Sequence, residues 1–237
     1  MKKTWIIVAI VALAFTGLFI WALNENQTHI TNYDDYDPNT IIEGNEDNGG
    51  IADHIKGSKD APVLLFEYAD FQCEACALAR GRIEKLLEEY KGKVALVYRN
   101  YLLSYHQNGT AAASAAEAAG LQGYWKEYGD LLFKNQSSWN SAAASERNAI
   151  FNTYFETASE GQGNLDKFKS DMSSAQVKKK LEFDQGLATK YIDVTGTPTF
   201  YLDGSKIDFS GAKGEDGFLS VFREKIDAYM KDKGISK

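Results

Sequence analysis

The stretch EYADFQCEACALAR, residues 67–80, holds both cysteines of the 237-residue chain, Cys73 and Cys76. A structural disulfide acts mainly by closing a long loop in the unfolded chain, and a C-x-x-C loop removes little entropy. The spacing suits a different task, in which two adjacent sulfurs trade between dithiol and disulfide. From spacing alone, a purely structural or reduced pair and a zinc site are the alternatives. The three histidines, His29, His54 and His106, have no second ligand at metal spacing, so no metal set is assigned.

The flanks place the motif in a fold. Upstream, APVLLFEYADF carries Pro62 and then a short apolar run, read as a buried strand over 63–68. Beyond Cys76 the apolar period changes: Ala79, Ile83, Leu86, Leu87 and Tyr90 lie three or four apart, as on a helix. VALVYRNYLL then reads as a second strand over 94–101, completing a βαβ unit. A helical block follows. It comprises alanine-rich residues 108–123, a continuation through Trp125, Tyr128, Leu131 and Leu132, and a candidate helix over 145–160. Asn164 is placed to cap a short helix with Leu165, Phe168 and Met172 on one side. A last helix of the block puts Val177, Leu181, Asp184 and Ala188 on one face. The lysine run Lys178-Lys179-Lys180 within it reads as a solvated turn. The chain then returns to strands, TPTFYLDG and KIDFSG, joined at an Asp203-Gly204 turn signal. It ends in an amphipathic helix carrying Phe218, Phe222, Ile226 and Tyr229. With the helical block removed, the order is β-α-β then β-β-α.

Composition is that of a globular protein, 44% hydrophobic and 25% charged. A net charge of −7 without a basic stripe excludes a nucleic-acid surface. The N-terminus departs from this pattern. Lys2 and Lys3 precede residues 4–23, TWIIVAIVALAFTGLFIWAL, which contain no charge. At ~1.5 Å per helical residue this segment spans roughly 30 Å, the thickness of the hydrocarbon layer. Its end, FIWALNEN, lacks the small-x-small pattern of a cleavage site, so it is read as a retained membrane anchor over 1–23 rather than a cleaved signal peptide. The flanking charges place the bulk of the chain outside the membrane, where disulfides persist. Acidic residues 24–53 read as a flexible tether, with Ile41-Ile42 the one place for a short strand or loose docking.

On these residues the chain resembles the thioredoxin superfamily, and within it the DsbA-type thiol:disulfide oxidoreductases. Four features carry the resemblance: the C-x-x-C opening a helix after a central strand; the helical insertion; VTGTPTFYLDG, residues 194–204; and Glu67, six residues before Cys73. The resemblance covers about 55–231. It implies an α/β thioredoxin fold over 54–237, a central mixed sheet flanked by helices, with the insertion at about 106–191 and the membrane helix ahead of it.

The resemblance also implies roles. Cys73, at a helix start where free N–H groups and the dipole favour thiolate, attacks and forms the mixed disulfide. Cys76 resolves it. Glu67, desolvated beneath the motif, exchanges a proton with Cys76; an edge-of-core Glu67 paired with a lysine is the alternative. Thr197-Pro198 is expected to be a cis peptide beside the Cys73 sulfur, with Thr197 pairing to an extended substrate peptide; an ordinary trans turn is the alternative. Phe71, with Tyr68 and Tyr105, either frames an apolar substrate groove or belongs to the core. Glu74 and Ala75 stand where strongly oxidising members carry Pro-His, so they are read as redox-tuning. No cofactor is implied. The implied activity is a membrane-anchored oxidase of reduced extracytoplasmic proteins. Its expected partners are those substrates, lipid around the N-terminal helix, and a membrane quinone-linked thiol oxidase of the DsbB or vitamin-K-epoxide-reductase kind. A reductase or isomerase fed by a membrane donor, and a non-catalytic binding protein or chaperone, are the alternatives.

Overall fold

A computed structural model describes residues 31–191 and 194–236. The apolar segment 4–23 read as a membrane anchor lies outside them. Among the described residues no helix is long and apolar enough to cross a membrane.

The described strands form one five-stranded sheet in the order β1-β3-β2-β4-β5, where β1 is His54–Lys56, β2 Val63–Ala69, β3 Val94–Asn100, β4 Thr199–Leu202 and β5 Ser205–Lys206. β2 and β3 run parallel, joined by helix α1 (Glu74–Glu89), and the other neighbours are antiparallel. All seven residues of β3 are buried, as befits a strand covered on both faces. The β4–β5 hairpin turns at Asp203 (φ 49°) and Gly204 (φ 72°). Left-handed backbone at both central residues matches the twist of the flanking strands, which is why Asp-Gly marks this turn in the sequence.

One face of the sheet packs on α1 and on the C-terminal helix α8 (Gly214–Asp232), with Val63, Leu65, Ile83, Leu96, Phe200 and Phe222 in the shared core. Between β3 and β4 come the six described helices of the insertion: α2 (Gly109–Gly120), α3 (Trp125–Lys134), α4 (Gln136–Trp139), α5 (Ala144–Ala158), α6 (Leu165–Asp171) and α7 (Ala175–Tyr191). The alanines of α2 are small enough to be buried all round, and aromatic side chains from α3 to α6 close over them. Asn164 caps α6 by accepting from the Lys167 amide at 2.9 Å. The mixed sheet and helical insertion follow the expectation; β1, three half-buried residues, was not legible in the sequence.

Two expectations change. Residues 33–53 are not a flexible tether: the compact unit begins at residue 33. Ile42 and Ile51 are buried, and the Tyr33 and Tyr36 rings pack on Phe183 of α7. The acidic side chains that gave the segment its disordered composition mostly lie outward, while a few aromatic and branched residues carry the docking. Gly49 is required there: it has φ 69°, and a Cβ would lie 2.2 Å from the Gln176 carbonyl oxygen.

The lysine run is the second change. Lys180 is fully buried, donating to Asp184 Oδ1 at 2.8 Å and Asp53 Oδ1 at 3.3 Å. Asp53 in turn accepts from Arg99 Nη2 at 2.6 Å, and Asp184 accepts from the Asn100 amide at 3.0 Å. Glu117 of α2 extends the network through Asn100 at 2.8 Å and His54 at 2.7 Å. A buried lysine is tolerated only when its charge is matched, here by Asp184 one turn further along the same helix and by Asp53 from a distant segment.

Candidate active site

Cys73 is the residue before the first turn of α1, in extended conformation (φ −74°, ψ 120°). Its amide donates to the Asp70 carbonyl at 3.0 Å and its carbonyl accepts from the Ala77 amide at 3.1 Å. This places its sulfur over the unsatisfied N–H groups of the helix start. The loop that presents it is built by Asp70, which is fully buried. Asp70 accepts from the amides of Gln72 (2.8 Å) and Leu103 (2.9 Å) and pairs with His106 Nδ1 at 2.9 Å. The insertion holds the same loop from the other side: Gln136 donates to the Phe71 carbonyl at 2.8 Å, and Gln72 donates to the Asn140 carbonyl at 2.8 Å.

Both cysteines are in the thiol form, and their environments differ. Cys73 keeps 8% of its surface exposed; Cys76 keeps none. The Cys76 thiol, the Thr197 side chain and the amides of Cys76 and Ala75 support a negative Cys73 sulfur against the opposing effect of burial, bringing its pKa down to about 5. Burial, the Cys73 sulfur and the Glu67 charge push Cys76 the other way, well above the ordinary cysteine value.

The Thr197-Pro198 peptide is cis and immediately precedes β4. As a thiol, Cys73 donates to the Thr197 carbonyl at 3.4 Å. The Thr197 hydroxyl is buried without a partner in this state, which leaves it free to turn its proton to the sulfur once that is ionised.

Glu67 lies on β2, opposite Tyr98 of β3 and Phe200 of β4, and is 1% exposed. Its Oε2 has no hydrogen-bond partner among the described residues, so the alternative of a lysine-paired edge residue does not describe it. Burial raises its pKa, the Arg80 and Lys56 charges oppose this, and the result is about 7.

Cys73, Cys76, Glu67, Thr197 and Pro198 are thus brought together around the inner strands β2 and β4 of the sheet. Glu74 and Ala75 are exposed beside them, contributing backbone rather than enclosed side chains. Phe71 is a correction. It is fully buried, its ring packed on Phe133 (4.8 Å) and Tyr98 (5.3 Å), so it belongs to the core and not to a substrate groove. Tyr68 is also buried, accepting from Arg99 Nη1 at 2.9 Å, whereas Tyr105 is 73% exposed. Sequence reasoning missed Asp70, which has no pattern of its own, and Arg80. Arg80 stands four residues after Cys76, so helical spacing already put it on the buried face of α1.

The separation of the two thiols has a direct expectation. Alkylation of the reduced protein occurs first at Cys73, and its rate rises through a midpoint near pH 5 and is flat by pH 7. Reaction at Cys76 first, or a midpoint near pH 8–9 as in an ordinary thiol, would reverse the assignment of the two sulfurs.

Comparison with known proteins follows this geometry. A family profile described as thioredoxin matches residues 50–219. The oxidised form of BdbD from Bacillus subtilis is similar in structure, with a TM-score of 0.63 at 20% identity, covering 81% of this chain and 100% of that one. Alpha-DsbA1 of Wolbachia pipientis gives 0.58 at 24% identity over 74% of this chain and 89% of its own. In sequence, a Na(+)/H(+) antiporter NhaA 3 of Salinispora tropica is 32% identical over 155 residues, which are 65% of this chain and 22% of the antiporter. The chain therefore spans less than a quarter of the length of that curated relative, and the antiporter's name describes a much larger protein.

Proposed function

The chain belongs to the thioredoxin family, and on that premise we propose that it is a thiol:disulfide oxidoreductase that passes a Cys73–Cys76 disulfide to reduced proteins outside the membrane. The observation that carries this reading is the asymmetry of the pair: a readily ionised Cys73 at a helix start that keeps 8% of its surface exposed, against a fully enclosed Cys76 that keeps its proton. A substrate thiolate attacks the Cys73 sulfur and the Cys73–Cys76 bond breaks. Cys76 leaves with the electron pair and takes a proton from Glu67. A second substrate thiolate then attacks the substrate sulfur of the mixed disulfide, and Cys73 departs as thiolate. The substrate loses two electrons, the enzyme gains them, and one proton ends on Cys76. Once Cys73 has no thiol proton, the Thr197 carbonyl is free to accept from the backbone of an extended substrate.

In this reading residues 4–23 anchor the domain, and a membrane quinone-linked thiol oxidase restores the disulfide. The uncharged length of the segment and the lysines ahead of it support the anchor. A reductase fed by a membrane donor is the second reading, favoured by the Glu74-Ala75 insert, which lacks a histidine donor and adds a negative charge beside the sulfur.

A redox equilibrium of the full chain against glutathione tests the proposal. The expected potential is more reducing than the ~−120 mV of the strongest family oxidants, yet high enough to oxidise substrate dithiols, with the membrane thiol oxidase returning the pair to disulfide. Replacing Glu74-Ala75 with Pro-His lowers the Cys73 pKa further and makes the protein more oxidising, by roughly 30 mV for each pKa unit. A pair that rests as dithiol in the cell would reject the oxidase direction in favour of the reductase.

A further inference from the structure

The insertion reaches the redox site at a second place, away from the loop that holds Cys73. Arg80 lies one helical turn beyond Cys76, on the same buried face of α1, and is 5% exposed. Its Nε and Nη2 both donate to Asp130 Oδ1 of α3, at 3.1 and 2.7 Å. Asp130 also accepts from Lys56 of β1 at 3.0 Å. These bonds fix the guanidinium and leave its Nη1 buried with no hydrogen-bond partner. The other unpartnered buried charged atom among the described residues is Glu67 Oε2, on the strand beneath the same helix. The outer side of the Arg80–Asp130 pair lines a cleft of about 360 Å³ between α1 and α3, and 36% of the Asp130 side chain remains exposed.

We propose that Arg80 and Asp130 are positioning residues for the proton step at Cys76: Asp130 fixes and partly neutralises the one arginine beneath the motif, and the pair sets how readily Glu67 gives up its proton. The proposal rests on the oxidoreductase reading for its consequence, but not for its physics. The charge of Glu67 is coupled to Cys73 at the cap of α1, to Cys76 and Arg80 on α1 and to Lys56 on β1; its register neighbours are Tyr98 of β3 and Phe200 of β4, and Phe200 carries no charge. Of the opposing charges, Arg80 acts most strongly on Glu67, followed by Lys56. Two buried and unpartnered groups of opposite sign, one on α1 and one on the strand that leads into it, are coupled through charge and not through a bond, and charge coupling is strong where water is excluded. Asp130 tempers it. A bare Arg80 would hold Glu67 ionised, and an absent Arg80 would leave it protonated. Either extreme removes a group able both to donate to Cys76 and to accept from it near neutral pH.

The test is the titration of the Glu67 carboxyl in the full chain, followed by its carbon chemical shift and assigned by the resonance lost in Glu67→Gln. In the parent the midpoint lies at about 7. Arg80→Met is expected to move it up, and Asp130→Asn to move it down, each by about one unit, a tenfold change in the proton equilibrium. Arg80→Lys, which keeps the cation, should leave it near the parent. The pH profile of Cys76-dependent exchange should shift with the carboxyl in each case and lose its dependence in Glu67→Gln. Opposite shifts from two neighbouring substitutions are not what loosened packing produces. Midpoints that stay put, or move the same way, overturn the proposal. If Arg80→Met does not fold, Asp130→Asn and Arg80→Lys decide it on the same terms. A chain that exchanges no disulfides would reject the functional reading, while the carboxyl titration would still decide this inference.

Discussion

Cys73→Ala abolishes disulfide exchange, whereas in Cys76→Ala the Cys73 thiolate still attacks a partner's disulfide, displaces one of its sulfurs as thiolate and keeps the other in a mixed disulfide that no Cys76 thiol resolves. The asymmetry follows from what a low pKa does. With Cys73 at about 5, roughly 99% of it is thiolate at pH 7, against about 1% for a thiol left at the ordinary value of 9.0. That gain of about a hundredfold is nearly offset, because nucleophilicity falls with pKa at a slope of about 0.4–0.5, or roughly 40–100-fold over four units. Attack is therefore hardly faster than for a free cysteine. Departure is much faster, because a low-pKa thiolate is a good leaving group. The site is built to let go of substrate sulfur, which is the behaviour of a donor of disulfides. Removing Cys76 deletes both the resolving thiol and the first of the groups that support the Cys73 thiolate, so the Cys73 pKa should also rise in Cys76→Ala. The measurements are a trapping assay with a disulfide-bonded partner and a thiolate absorbance titration. Full exchange in Cys73→Ala, or an unmoved Cys73 pKa in Cys76→Ala, would count against the site as described.

The second large effect lies away from the chemistry. Asp53→Asn should cost about 3 kcal/mol of folding stability at pH 7, at the low end for breaking a buried pair because Lys180 keeps Asp184 and Arg99 keeps the Tyr68 hydroxyl. Burial pushes the Asp53 carboxyl up, but Lys180 and Arg99 outweigh it, holding it below the usual carboxylate range. A depressed carboxyl contributes stability that is present above its unfolded pKa and lost as pH falls through the folded one. The parent and Asp53→Asn should accordingly converge in strongly acidic solution. Urea unfolding at pH 7 and pH 3 measures both points. A loss under 1 kcal/mol at pH 7, or a gap that does not narrow in acid, would mean the network is not paired as it stands here.

These two cases also separate what could be read from the sequence and what could not. C-x-x-C, the Val194–Gly204 stretch and the Asp203-Gly204 turn are legible because each is a local device whose residue types are dictated by backbone geometry a few positions away. Glu67 was singled out by the resemblance, six residues before Cys73, and its burial is what the structure adds. Lys180 and Phe71 were not legible. A lysine in a basic run looks solvated until the Asp53 carboxylate is brought to it from 127 residues away. An aromatic beside a reactive cysteine looks like a docking surface until Phe133 of the insertion covers it. In the same way the acidic composition of residues 33–53 outweighed Tyr36, Ile42 and Ile51, which gain their value only against α7 and the sheet. What escaped is what depends on partners far away in the chain.

That distance has a consequence during synthesis. Lys180 joins Asp53 across 127 residues, and Asp184 joins Asn100 across 84. At about 5–20 residues per second, the first of these separations takes roughly 6–25 s to translate. Once β3 has been made, and for the rest of that interval, the nascent β1–β3 sheet holds Asp53 and Arg99 without the helix that completes their surroundings. The sheet edge that will later face β4 is also open, since β4 follows the whole insertion. A chain leaving its ribosome is therefore unfinished at both its charges and its strands until α7 and the hairpin have emerged, and a holding chaperone has its greatest opportunity in that window.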